Sequence, residues 1–232
     1  MAMRKILIIK TALLLILCIA LASPVIAQIT KSSTLPDLYE TKVITKTYNA
    51  PSLYLFQCTW LIQDTIKVRE LTIRERAILK APEGKYLTLT VNGIGKEIKP
   101  GTYKGEVVLS VTDNYFIKSE GMTQSRNYHT AFVIKDGKVL SKNSTPALLS
   151  RGTVTDTKAE GVYIGNEAEA YNGIIIDGNS EYTINNAQFD LDGFSDNDFA
   201  GVGAAVANYG NAKVTINDSE FNINGVTRCA FH

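Results

Sequence analysis

From about Tyr48 onward, apolar and polar positions alternate in short runs separated by Gly, Pro, Asn and Asp, the pattern of a chain built from strands. Leu53 to Ile62 is a continuous apolar and aromatic run, which predicts a buried strand. Ile66 to Ile73 opens with strict alternation and predicts a half-exposed one. Tyr86 to Val91 alternates and ends at Asn92-Gly93, a strong signal for a tight hairpin turn. Lys99-Pro100-Gly101 through Gly105 predicts another turn, and Val107 to Thr112 a further strand. From about Ala131 the runs shorten to Ala131–Ile134, Ala147–Leu149, Gly161–Ile164 and Gly173–Ile176. Asp136-Gly137, Arg151-Gly152, Gly165-Asn166 and Asp177-Gly178 are the expected corners.

Two stretches are copies of one another. Gly178 to Gly193 aligns with Gly210 to Gly225, thirty-two residues further on, with seven of sixteen positions identical. A fixed period in this range marks an architecture in which each unit buries its apolar side only by stacking on the next. In the first copy Tyr182 and Ile184 alternate, then Phe189 and Leu191; in the second these become Val214, Ile216, Phe221 and Ile223. The step from Ile184 to Phe189 is odd, so a straight strand would send one of them outward. A corner at Asn185-Asn186-Ala187, and its equivalent at Asn217-Asp218-Ser219, returns both to the interior. Asn and Asp suit such corners because they tolerate left-handed backbone and bond to it through their side chains. Stacking the copies lays Phe189 over Phe221 and Ile184 over Ile216, with a third strand from Ile174 in one coil and Val206 in the next.

The amino terminus bears on location. Arg4 and Lys5 precede an apolar run from Ile6 to Ala22 broken only at Lys10 and Thr11, and Val25-Ile26-Ala27 offers small residues for a cut before Gln28. The unbroken apolar part falls short of the roughly twenty residues a spanning helix needs. The expectation is a cleaved signal peptide over 1–27 and a secreted or cell-surface protein. Cleavage removes Arg4, Lys5 and Lys10 and turns a net charge of +1 into −2. That sum hides a polarity: residues 28–165 hold 19 Lys/Arg against 13 Asp/Glu, whereas residues 166–232 hold 2 against 10. No basic cluster with interleaved aromatics is present, so a nucleic-acid partner has no footprint. After cleavage Cys58 and Cys229 remain, either paired or as two buried thiols.

Gly203-Ala204-Ala205-Val206-Ala207-Asn208-Tyr209-Gly210, followed by Val214 to Phe221, resembles the right-handed parallel β-helix proteins of bacterial surfaces. These include pectate-lyase-like proteins and autotransporter or adhesin passengers. The Pro-Gly-x-Tyr-x-Gly segment at 100–105 also resembles the edge hairpins of secreted bacterial β-sandwich modules. The fold expected is all-β. A polar leader over 28–47 and a β-rich N-terminal cap over 48–110 precede the first coils of a right-handed parallel β-helix over 111–232, open at its C-terminal end. A cap is physically required, because an open solenoid end is an exposed edge. The resemblance implies an exported, elongated protein that acts on, or adheres to, polysaccharide or cell-surface glycan.

Candidate chemistry is sparse. Asp190, Asp192, Asp196 and Asp198 fall within nine residues between the two copies, and closely spaced oxygen ligands are what a hard cation such as calcium needs. They are the candidate calcium ligands, although Gly193 and the absence of a closing Glu argue against an EF-hand. Tyr163, Tyr171, Tyr182 and Tyr209 could present ring faces to a sugar; Tyr182 replaces Val214 in the interior ladder, leaving Tyr171 and Tyr209 as the candidate ligand contacts. Arg126, Arg151 and Arg228 stand in no lyase-like motif, and His129 and His232 are isolated, His129 reading as a surface or strand-edge residue. No catalytic residue is assigned. The leading expectation is a non-catalytic, adhesin-like surface protein, with self-association through the open C-terminal coil. The alternative is the N-terminal part of a polysaccharide lyase or glycoside hydrolase.

Overall fold

A computed structural model describes residues 41–118 and 123–232, and within them the protein is all-β apart from two single turns of 3-10 helix, Pro146–Leu148 and Asp198–Ala200. The expected signal peptide and most of the expected leader lie outside the described residues.

The first five strands are Thr41–Ile44 (β1), Ser52–Leu55 (β2), Thr59–Ile62 (β3), Ile66–Ile73 (β4) and Ile78–Lys80 (β5). They alternate between two sheets: β1, β3 and β5 pair in parallel, and so do β2 and β4. The stretch expected as leader therefore supplies a strand, with Thr41 paired to Thr59 and Ile44 buried. The apolar run Leu53 to Ile62 is two strands rather than one. Leu55 and Ile62 both point into one core across an odd step, so the chain turns between them; Gln57 takes φ 46° and Phe56 is exposed.

Lys85–Val91 (β6), Ile94–Lys96 (β7) and Gly101–Asp113 (β8) join β4 in antiparallel order β7-β6-β8-β4. Asn92 and Gly93 make the β6–β7 turn with φ of 51° and 80°, as that dipeptide predicts. The turn expected over 99–105 is shorter: β8 already begins at Gly101, and Gly105, at φ 121°, sits where β8 slips register against β4.

Tyr115–Ile117 (β9) pairs antiparallel with Arg126–Lys135 (β10), which is followed by Lys138–Val139 (β11). Beyond them come Leu149–Val154 (β12), Lys158–Asn166 (β13), Tyr171–Asp177 (β14), Glu181–Asn185 (β15), Gln188–Leu191 (β16), Val206–Asn208 (β17), Lys213–Asn217 (β18) and Glu220–Ile223 (β19). Three parallel ladders result, β10-β14-β17, β13-β15-β18 and β13-β16-β19. The two sequence copies lie directly on one another, Ile184 against Ile216 and Phe189 against Phe221, whose rings stack at 5.1 Å and 6°. The corners fall where strand parity demands, with Asn186 at φ 51° and Asp218 at φ 48°. Three other expectations differ. Ala147-Leu148 belongs to a 3-10 turn, because Pro146 has no N–H to give a strand; Arg151-Gly152 lies inside β12, where its pairing with β13 slips register; and Gly165-Asn166 lies inside β13 rather than at a corner.

Apolar side chains form separate cores. One fills the N-terminal half with Leu53, Leu55, Leu71, Leu89 and Leu109. A second lies inside the parallel ladders with Ile164, Ile174, Tyr182, Ile184, Phe189 and Leu191. A third covers the other face of β10-β14-β17: Val133, Ile175 and Ala207 pack beneath Ala200, Val202 and Ala204 of the segment that interrupts the two copies. That segment is a lid over a sheet, which is why the copies can be separated by a long insertion and still stack.

Candidate functional site

The four aspartates do not converge. Asp190 stands on the outer face of β16, while Asp192 follows that strand and is exposed. Asp196 forms an ion pair with Arg126 at 3.0 Å. The Asp198 carboxylate accepts from the N–H of Phe199, its own neighbour in the 3-10 turn. Among the described residues no group of three or more His, Cys, Asp or Glu is placed to hold a metal ion. The segment spends its polar groups on turns and on one ion pair while its apolar residues seal the third core, so the calcium site expected from spacing has no geometric basis.

Tyr171 and Tyr209 are not free either. Tyr171 is 2% exposed and its hydroxyl lies 2.7 Å from Thr88 Oγ1; Tyr209 is 8% exposed and donates to the Ala200 carbonyl at 2.7 Å. Both rings pack inward. Tyr182 is buried, as its place in the interior row requires.

Of the four candidate tyrosines, Tyr163 is the one with a face toward solvent. β13 alternates, so Val162 and Ile164 point into the core and Tyr163 points out. Gly165, the next outward position, has no side chain, and the Tyr163 ring lies over it: a Cβ there would meet Tyr163 Cε1 at 3.2 Å. The Arg151 guanidinium stands 5.8 Å from the ring centroid. The Tyr163 hydroxyl donates to Asp190, an interaction that with burial pushes the phenol up to about 12. Burial works to raise the Asp190 pKa, but hydrogen bonds from Tyr163, Asn222 and Gln188 outweigh it and hold the carboxyl below its ordinary value. Asn222 Nδ2 reaches Asp190 at 2.7 Å and Gln188 Nε2 at 3.2 Å.

Tyr163, Gly165, Asp190 and Asn222 line a groove of about 390 Å³ on the outer face of β7, β13, β16 and β19, together with Glu167, Asp192 and Asn224. Lys96 pairs with Glu167 at its edge. The groove offers one aromatic plane, three carboxylates and side-chain amides, with the Arg151 guanidinium beside the ring. That set stacks on an apolar ring face and hydrogen-bonds vicinal hydroxyls. A larger cleft of about 560 Å³ lies between β8 and residues 141–150, but its lining of Ser, Thr and Lys side chains includes no aromatic ring, and its Lys67 is paired with Glu106.

Comparison with protein-family models, with curated proteins and with solved structures yields no match. The site is therefore read from its own chemistry.

His129 occupies another position than the sequence suggested, and the cysteines take the unpaired alternative. His129 is mostly buried, stacked on Tyr86 with centroids 3.3 Å apart, and burial lowers its pKa from the ordinary 6.5 to about 4. Cys58 and Cys229 are both free thiols. Cys58 accepts from Trp60 Nε1 at 2.7 Å in the N-terminal half, and Cys229 packs against the third core. Arg228 acts as a structural tie: its guanidinium donates to the carbonyls of Gly193, Tyr171, Gly203 and Ala168 at 2.8 to 3.2 Å. Sequence alternation in Gly161 to Gly165 contains the signal for Tyr163 as an outward residue beside a glycine; without the strand's facing direction, the sequence points to Tyr171 and Tyr209 in its place.

Proposed function

We propose that this is an exported, non-catalytic surface protein whose parallel layers form a right-handed β-helix and whose outer groove at Tyr163 contacts glycan. Three parallel ladders around one core, two of them with copy lying on copy, support the β-helix reading, and parallel crossovers are right-handed in nearly all proteins. The observation that carries the glycan reading is the Tyr163 ring laid over Gly165 beside Asp190 and Asn222. Aromatic planes flanked by carboxylate and amide groups satisfy both faces of a pyranose, the apolar C–H side and the hydroxyl rim.

Asp190 accepts from several donors and has a lowered pKa, so it is suited to holding hydroxyls and unsuited to delivering a proton. The other carboxylates with a resolved displacement, Asp156, Glu160 and Asp177, also move down. A glycoside hydrolase would need one carboxyl held up toward neutral pH as its general acid. Export rests on the amino-terminal pattern of Arg4, Lys5, the apolar run and Val25-Ile26-Ala27. Among the described residues no helix is long and apolar enough to cross a membrane.

Titration of the protein with neutral hexose, N-acetylhexosamine and uronate oligosaccharides is the direct test. Saturable binding is expected, weakened at least tenfold by Tyr163→Ala, with no release of reducing or unsaturated sugar. Equal binding by the variant would remove the groove from the proposal, and sugar release would overturn the non-catalytic reading.

A further inference from the structure

The plane where the antiparallel sheet meets the parallel layers differs from the cores on either side. Leu87 and Leu89 of β6 face the N-terminal core. The opposite face of the same sheet is polar, and Thr88, Thr90 and Ser110 are buried there. Thr90 pairs with Gly95, and Gly95 with Asn166; Thr90 Oγ1 and Asn166 Nδ2 are both buried without a hydrogen-bond partner. Unsatisfied groups of this kind weaken adhesion across a plane that apolar packing would otherwise hold.

An aromatic stack bridges this plane. Tyr86 comes from β6, His129 from β10 and Tyr171 from β14. Tyr86 and His129 stack at 3.3 Å and 17°, and His129 and Tyr171 sit 5.7 Å apart at 45°. Tyr171 also reaches across to Thr88 of β6.

The surroundings of His129 admit only the neutral ring. Asn127 Oδ1 accepts from the backbone N–H of Tyr115 at 3.0 Å, a donor that cannot turn round, so the amide NH₂ must face the other way. That NH₂ donates to Asn114 Oδ1 and to His129 Nε2, each at 3.0 Å. Nε2 is thus an acceptor and the ring proton sits on Nδ1. A proton added at Nε2 would set N–H against N–H and put charge into a mostly buried ring. Around it stand the phenols of Tyr86 and Tyr171. Glu97 acts electrostatically on both phenols, and the Lys85–Asp113 ion pair lies one residue from Tyr86 and from Asn114. No carboxylate among the described residues hydrogen-bonds to His129.

We propose that His129 is an acid-operated latch: its protonation loosens the junction between the antiparallel sheet and the parallel layers, leaving it to the short β7–β13 ladder and the Lys96–Glu167 pair, while each side keeps its own core. The direction follows from linkage. The closed form holds the ring neutral and the open form lets it take up a proton at its ordinary pKa, so opening binds protons. Closure is at full strength above pH 6.5, weakens as pH falls, and stops weakening below about 4.

The chain has two histidines, so a proton NMR titration resolves the His129 ring from that of His232. Hydrogen-exchange protection, corrected for intrinsic rates, reads the Glu167 amide, which donates to the Gly95 carbonyl across the junction at 2.9 Å, separately from the amides of β6 and β15. Between pH 7 and 4.5 the Glu167 amide is expected to lose at least tenfold in protection while those of β6 and β15, bonded within their own strands' ladders, keep theirs. His129→Phe keeps the stack without a titrating ring and should abolish that loss. Asn127→Asp offers an imidazolium a carboxylate and should hold the plane closed to lower pH by at least one unit. Simultaneous loss in both strands, or the same acid response in Asn127→Asp as in the wild type, would overturn the latch; the second variant decides the matter if His129→Phe does not fold.

Discussion

Asn186 and Asp218 occupy equivalent corners at φ of 51° and 48°, a region that a β-branched side chain enters only with strain. Asn186 adds a hydrogen bond from Nδ2 to Glu160 Oε1 at 3.1 Å. Asn186→Val should therefore destabilise the protein by about 2 kcal/mol, whereas Asn186→Gly, free of the Cβ conflict, should cost about 0.5 kcal/mol. Urea midpoints with an unchanged denaturant slope would measure both; equal losses would mean that the backbone conformation is not what selects Asn there. This corner was legible in the sequence because parity alone requires it: Ile184 and Phe189 both carry core side chains across an odd step. The same arithmetic applies to Leu55 and Ile62 with Gln57 between them, but there the run contains no Asn, Asp or Gly to advertise the turn.

The ladders depend on positions where a side chain is missing. Gly173 in β14 has an ordinary negative φ, yet a Cβ there would overlap the Ala205 carbonyl and the Phe189 ring. It is glycine for the sake of close approach between β14, β17 and the core. Gly173→Ala should cost about 3 kcal/mol, the penalty of overpacking with nowhere for backbone to retreat, and should show as a drop in Tm by differential scanning calorimetry. A neutral outcome would mean that β17 can shift outward. Which strands would share a ladder was legible from the two copies, since identical spacing puts identical rows in register. The candidate site was not. Asp190 to Asp198 look like ligands when only spacing is read, and what disperses them is the third core, whose apolar members Ala200, Val202 and Ala204 follow directly on the acids in the sequence.

At the scale of the molecule, the stack ends in two open strands. Among the described residues β18 and β19 pair on one side only, and Val214, Ile216, Phe221 and Ile223 continue the interior rows while remaining half-exposed. Such an edge has both unpaired backbone groups and apolar side chains, the combination that drives strand pairing between molecules. A chain ending at His232 should self-associate through it, with light scattering showing mass rising with concentration and Ile216→Lys restoring the monomer. A monomeric wild type at high concentration would refute this. The N-terminal half was legible as β-rich, but its 18-residue spacing between Thr41 and Thr59, or Ser52 and Glu70, was not, because those segments share register without sharing residues.

The exact copy-on-copy register sets a quantum of length for this protein. Inserting one residue into β15 would turn every later side chain of that strand to the opposite face. Inserting a second copy of residues 179–210 would leave every pairing beneath it intact and raise the column by about 4.8 Å. Growth of such a molecule is therefore counted in whole layers, and its gene would tolerate large duplications at a place where it forbids the smallest ones.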